Sequence, residues 1–153
     1  MKKMKIIGLM IALLAGLTVS CTKSSSSVSG NNNTNPTPST YVTATVNGAS
    51  WAATTALGLK TNVMSVNGIN TNGTEIHLTL PLTVTANTYT LDQVNYKAQY
   101  DNGSATYNST SGSISVSAVS ATGISGTFSF NAANIADASM VVGVTNGSFN
   151  VSF

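Results

Sequence analysis

The chain is 153 residues long, 42% hydrophobic and only 7% charged, with six lysines, no arginine, four acidic residues and a single cysteine. Without a cluster of cations there is almost no counterion release to drive contact with a phosphate backbone, which sets nucleic-acid binding aside. One cysteine and one histidine among four acids also leave few ways to build a metal or acid–base site, and no cofactor is implied.

Lys2, Lys3 and Lys5 precede an apolar run from Ile6 to Leu17, and small residues then lead to Cys21. The run is shorter than the about 20 residues that a membrane-spanning helix needs. Residues 1–20 therefore read as a secretory signal peptide. The stretch Leu17-Thr18-Val19-Ser20-Cys21 resembles the lipobox of bacterial lipoproteins, with Thr18 where leucine is usual. The resemblance implies cleavage before Cys21, a thioether-linked diacylglycerol on its sulfur and acylation of the new amino group. Two or more acyl chains hold a protein at a membrane where one binds reversibly. On this reading the partner of Cys21 is the membrane, and its sulfur serves neither redox nor nucleophilic chemistry.

Cleavage changes the charge balance. Lys23, Lys60 and Lys97 remain against Glu75, Asp92, Asp101 and Asp137, a net of −1, so the high sequence pI belongs to the signal segment and no basic membrane-surface patch is left. Residues 21–40 comprise the lipidated cysteine and a tether of Ser, Asn, Thr and Pro with one apolar side chain, Val28. Such a composition is expected to stay disordered and, as a flexible coil, to average about 25 Å end to end. Lipoproteins of the Bacteroidota type that reach the cell surface usually carry an acidic run after the cysteine, which Thr22-Lys23-Ser24 lacks. That favours an outer-membrane anchor facing the periplasm, with exposure at the cell surface as the alternative.

Residues 41–153 are long enough for one domain and too short for two. Apolar and polar residues alternate through Ile76–Leu80, Tyr96–Tyr100, Ser113–Ser117, Thr127–Phe130 and Ser148–Phe153, the pattern of antiparallel strands with one packed face and one wet face. Asn131 to Met140 is the nearest approach to a helical turn. Five Asn-Gly pairs, at 47–48, 67–68, 72–73, 102–103 and 146–147, suit the positive φ of tight hairpin turns. The first and fourth sit in the best hairpins, and only one of the two between Val66 and Thr74 can be a tight turn. The expected fold is all-β, an antiparallel sandwich or flattened barrel of about nine to eleven short strands. The expected core is Val42, Ala44, Val46, Trp51, Ile76, Leu78, Leu80, Tyr89, Leu91, Ile114, Val116, Phe128, Phe130, Val144, Phe149 and Val151. The apolar alternation running to Phe153 ties the carboxyl end into the sheet.

The succession Val46-Asn47-Gly48-Ala49-Ser50-Trp51, Thr88-Tyr89-Thr90-Leu91, Gly126-Thr127-Phe128-Ser129-Phe130 and Thr145-Asn146-Gly147-Ser148-Phe149 resembles an uncharacterised family of Bacteroidota lipoproteins, with Asn87 where glycine is more frequent. The resemblance implies a small all-β domain behind a lipobox and polar tether, and implies no activity.

The residues alone offer one weak candidate pair, Glu75 and His77, on the same side of one strand. A metal there would need Asp92, Asp101 or Asp137 as a further ligand, and serine chemistry would need a Gly-x-Ser-x-Gly elbow that does not occur. Paired-carboxylate hydrolysis would need two scattered acids in one cleft. Asp92 and Asp101 read instead as turn residues bonding nearby backbone. The reading is of no catalytic or metal site, and of an interaction or structural module meeting an envelope protein or glycan. Exposed rings of Tyr96, Tyr100 and Tyr107 would mark a sugar platform, whereas core positions are the expectation. A lipocalin-like carrier is the alternative and would need a void lined by Phe128, Phe130 and Phe149; a hydrolase ranks below both. The Asn-x-Ser/Thr matches at Asn72, Asn102, Asn108 and Asn146 are coincidences of composition.

Overall fold

The computed structural model describes residues 39–153; the expected signal peptide, the expected lipidation site Cys21 and the expected tether up to residue 38 lie outside them. Ten strands follow in order: β1 (Tyr41–Val46), β2 (Ala49–Ala52), β3 (Thr55–Lys60), β4 (Met64–Ile69), β5 (Glu75–Leu80), β6 (Asn87–Thr90), β7 (Lys97–Asp101), β8 (Thr106–Val119), β9 (Gly123–Asn134) and β10 (Val141–Ser152). Together they make a single antiparallel sheet in the order β2-β1-β10-β9-β8-β7-β5-β4-β3, with β6 on β8 below β7. The all-β expectation holds, in a form between its two options. One sheet curls into a half-barrel whose ends, β2 and β3, share no ladder.

Alternation places the core. Val42, Ala44 and Val46 point inward from β1, as do Ile76, Leu78 and Leu80 from β5 and Phe149 and Val151 from β10. Every expected core residue is buried except Tyr89, which is half-buried and stacks on Tyr96 with ring centroids 4.5 Å apart. The core also takes in Met64, Val66, Val84, Ala98, Tyr100, Tyr107, Ile124, Ala132 and Val142. Trp51 caps one side of it and donates its indole N–H to Thr74 Oγ1 at 2.7 Å.

Of the Asn-Gly pairs, Asn47-Gly48 makes the tight β1–β2 turn, with φ of 48° and 82°. Asn47 also fastens this turn to β10, donating its N–H to Gly143 O and accepting the Gly143 N–H on Oδ1. Asn72-Gly73 turns the chain between β4 and β5, while Asn67-Gly68 lies inside β4. Asn102-Gly103 belongs to a longer loop whose Asn102 Oδ1 accepts the N–H groups of Ser104 and Ala105. Asn146-Gly147 is no turn at all. It forms a bulge within β10, where the register with β9 shifts between Val144 and Gly147. The helical turn expected at Asn131–Met140 is absent too. The inward alternation of Phe128 and Phe130 continues through Ala132 to Asn134, so β9 extends, and Asn134 Oδ1 then pins the loop by accepting the N–H of Ala136.

The three long strands β8, β9 and β10 carry the curl. Gly147 pairs with Phe128 and Gly126 with Phe149, and at each glycine an added Cβ would run into the partner's ring. The aromatic rings thus fold across bare backbone on the neighbouring strand, which brings Phe128 within 6.2 Å of Phe130 and 6.3 Å of Phe149, centroid to centroid. The sheet's far end returns against its beginning without a strand ladder, through packing and the Trp51–Thr74 hydrogen bond. A Cβ on Gly58 of β3 would lie 2.6 Å from Ser152 O, and one on Gly68 of β4 would lie 2.8 Å from Val42 Cβ.

Candidate functional site

β5 places Glu75 and His77 on the outer face, each about one-third exposed, with His77 Nδ1 3.8 Å from Glu75 Oε1. Register sets their neighbours. His77 lies between Asn67 on β4 and Gln99 on β7, and Glu75 lies opposite Asp101. One row further, Gln99 donates its side-chain N–H to Asn108 Oδ1 at 2.7 Å and Thr106 donates its hydroxyl to Asp101 Oδ2 at 2.6 Å. Asp101 Oδ1 accepts the Gly103 N–H. Glu75, His77, Gln99, Asp101 and Thr106 line a shallow cleft of about 140 Å³.

The cleft therefore gathers a histidine and two carboxylates, and a local partner already engages each Asp101 oxygen. Among the described residues no three His, Cys, Asp or Glu side chains are placed to hold a metal ion. Thr106, the hydroxyl lining the cleft, spends its proton on Asp101 rather than facing His77. The arrangement is suited to weak polar contacts at a wet sheet surface. Asn67 adds a side-chain oxygen that is buried beside this row without a hydrogen-bond partner. Gln99, Thr106, Asn108 and Asn67 escape sequence reasoning because only strand register brings them beside His77.

The other acids lie elsewhere and serve loops. Asp92 Oδ1 accepts the N–H groups of Val94, Asn95 and Tyr96 at 2.8–2.9 Å. The Tyr96 and Val94 amides, with smaller help from Asn95, hold its carboxyl down at about 2 against partial desolvation. Asp137 accepts the Ser139 hydroxyl and N–H, which lower its pKa as well. Asp101 does bond nearby backbone as a turn residue, while also holding Thr106.

The tyrosines form no outward platform. Tyr100 and Tyr107 are buried with ring centroids 6.1 Å apart, and Tyr96 is partly covered by Tyr89. Larger clefts of about 420, 550 and 410 Å³ lie at the β8–β9 turn with the carboxyl end, at the Ile135 loop, and over the serine-lined face of β8–β10. Asp101 is the only ionisable side chain lining any of these three.

A family model described as a domain of unknown function (DUF6252) matches residues 38–151, from ahead of β1 almost to the end of β10. No curated protein and no solved structure matches the chain.

Proposed function

We propose, from the premise that the chain belongs to the DUF6252 family of domains of unknown function, that it is a cell-envelope lipoprotein. Acyl chains on Cys21 hold it to the outer membrane, facing the periplasm, and its half-barrel acts as a non-enzymatic interaction or structural module. One observation carries the reading: the sole cysteine ends an apolar run headed by three lysines and stands only 20 residues ahead of Tyr41, where the sheet begins. The chemistry of the surface supports the non-enzymatic part. Asp101 alone among ionisable side chains lines the three larger clefts, and the Glu75–His77–Asp101 cluster is partly exposed with Asp101 already engaged.

The curled sheet is compatible with a lipocalin-like carrier of a small apolar ligand. Against that second reading, Phe128, Phe130 and Phe149 pack on one another and on glycine backbone where such a ligand would sit.

Membrane fractionation tests the anchored reading. The wild-type chain is expected in the outer-membrane fraction, protected from protease added to whole cells, and Cys21→Ser should release it to the soluble periplasm. A Cys21→Ser protein that stays in the membrane fraction, or a wild type that sediments with none, contradicts it.

A further inference from the structure

Strand β3 is built inside out. Its small residues Ala56 and Gly58 face the sheet's interior, while Leu57 and Leu59 stand on the outer face, 51% and 58% exposed. The inversion follows from the seam, because Gly58 must let β3 press against Val151 and Ser152 of β10 and no larger side chain fits there. The exposed leucines are not needed for that contact. They are joined at the same end of the β3–β4–β5 layer by Val63 in the β3–β4 turn and by Leu82 just past β5, both exposed. Lys60 closes β3, its Nζ 5.5 Å from the Phe153 ring centroid, and Lys97 shares the outer-face row of Leu59, Ser65 and Thr79. Glu75 and Asp101 sit at the opposite end of those strands.

The position of this patch identifies what it meets. The chain enters the sheet at the same place: Asn150 donates to Ser39 O, Tyr41 pairs with Asn150, and the next residues of β10 are those that β3 presses against. The 38 residues ahead of Ser39, with Cys21 among them, therefore join the domain beside Leu57 and Leu59. Cys21 and Ser39 are 18 residues apart in the chain, a separation that spans at most about 60 Å, so the bilayer is within reach of this end. A second apolar group, Ile135, Met140 and Val141, surrounds Asp137 at the other end of β10. It lies nine residues along that strand from Asn150, about 30 Å away.

We propose that the edge formed by Leu57, Leu59, Val63 and Leu82 seats in the headgroup–acyl boundary of the membrane that holds the lipid anchor. The half-barrel is thereby given a fixed orientation, with the Ile135 loop directed away from the bilayer. The inference rests on the anchored reading. Isolated, so small an apolar patch would bind lipid weakly; tethered, it faces a bilayer at high effective concentration, and weak insertion suffices to orient the domain. Lys97, in the outer-face row of Leu59, is placed to meet lipid phosphates at the margin of the patch.

The test uses the mature lipidated protein in vesicles of phosphatidylethanolamine and phosphatidylglycerol carrying nitroxide-labelled lipid. An environment-sensitive dye is placed on Val63→Cys or, at the opposite end, on Ala138→Cys. Lipidated Cys21 offers no competing thiol, and intact mass reports its state in the same sample. The expected result is acylated Cys21 with quenching at position 63 about threefold or more above that at 138. That difference should vanish in Leu57→Ser/Leu59→Ser, whose thermal midpoint should match its parent because both side chains are exposed. Acylated Cys21 with equal quenching, or more at 138, overturns the orientation and leaves the anchor standing. A free Cys21 thiol overturns the anchored reading itself.

Discussion

At the scale of single residues, two loop side chains do work usually done by backbone. Along β8, β6 ends at Thr90 and β7 begins at Lys97, leaving a break in the ladder near Ser109. Gln93, held at φ 62°, fills the break by donating its amide to Ser109 O and Oγ, while Ser109 Oγ also accepts the Ala98 N–H. Ser109 is buried, so Gln93→Ala strands a carbonyl and is expected to cost about 1–3 kcal/mol in urea unfolding; an unchanged midpoint would contradict this role. Asp92 orders the same loop through three amides. Its folded pKa of about 2 lies below the unfolded value of about 3.9. Its contribution is therefore present above about pH 4 and is lost as pH falls towards 2. Asp137 acts with the same sign. Asp92→Asn should flatten the acid limb of a stability–pH profile between about pH 4 and 2, and an identical limb would show that the loop adds nothing.

At the scale of elements, glycine marks where strands approach too closely for side chains. Gly147→Ala places a methyl within the Phe128 ring and is expected to destabilise by about 1–3 kcal/mol. Phe128→Leu in the same chain should recover part of that loss, so the double mutant falls short of the sum of the singles. Strict additivity would contradict the ring-over-glycine packing. Gly68→Ala should cost a similar amount through Val42, Ala53 and Trp51, reporting on the seam in the same unfolding assay.

These same positions explain what the sequence concealed. Alternation marked β5, β9 and the end of β10 because each buries one face, and inward Val42, Ile114 and Phe149 were legible in the same way. Asn-Gly chemistry is satisfied equally by a tight turn and by a bulge, so Asn146-Gly147 read as a turn. Asn131–Met140 held alanines whose inward and outward positions cannot be told apart by polarity, which hid the extension of β9. In β3 the seam reversed the usual rule and put leucines outside. The Glu75–His77 pair was visible as an i, i+2 spacing, whereas Gln99, Asp101 and Thr106 join it only through pairing across strands.

At the scale of the whole molecule, β10 is the strand the fold depends on. It pairs with β1 and β9, and its last residues receive β3 at the seam. Deleting Asn150–Phe153 removes Val151 from the core and one side of the seam, and is expected to abolish the cooperative melting transition. A truncated chain that melts as the full one does would refute it. The half-barrel leaves the outer edges of β2 and β3 unpaired and puts Asp101 alone among ionisable side chains on its three larger clefts.

The central claim is that this half-barrel is moored through Cys21, and intact mass spectrometry of protein purified from native membranes tests it most directly. The account predicts a mature chain beginning at Cys21 and carrying a diacylglycerol thioether and an amide-linked acyl chain. A chain that begins elsewhere, or a Cys21 without lipid, would contradict it.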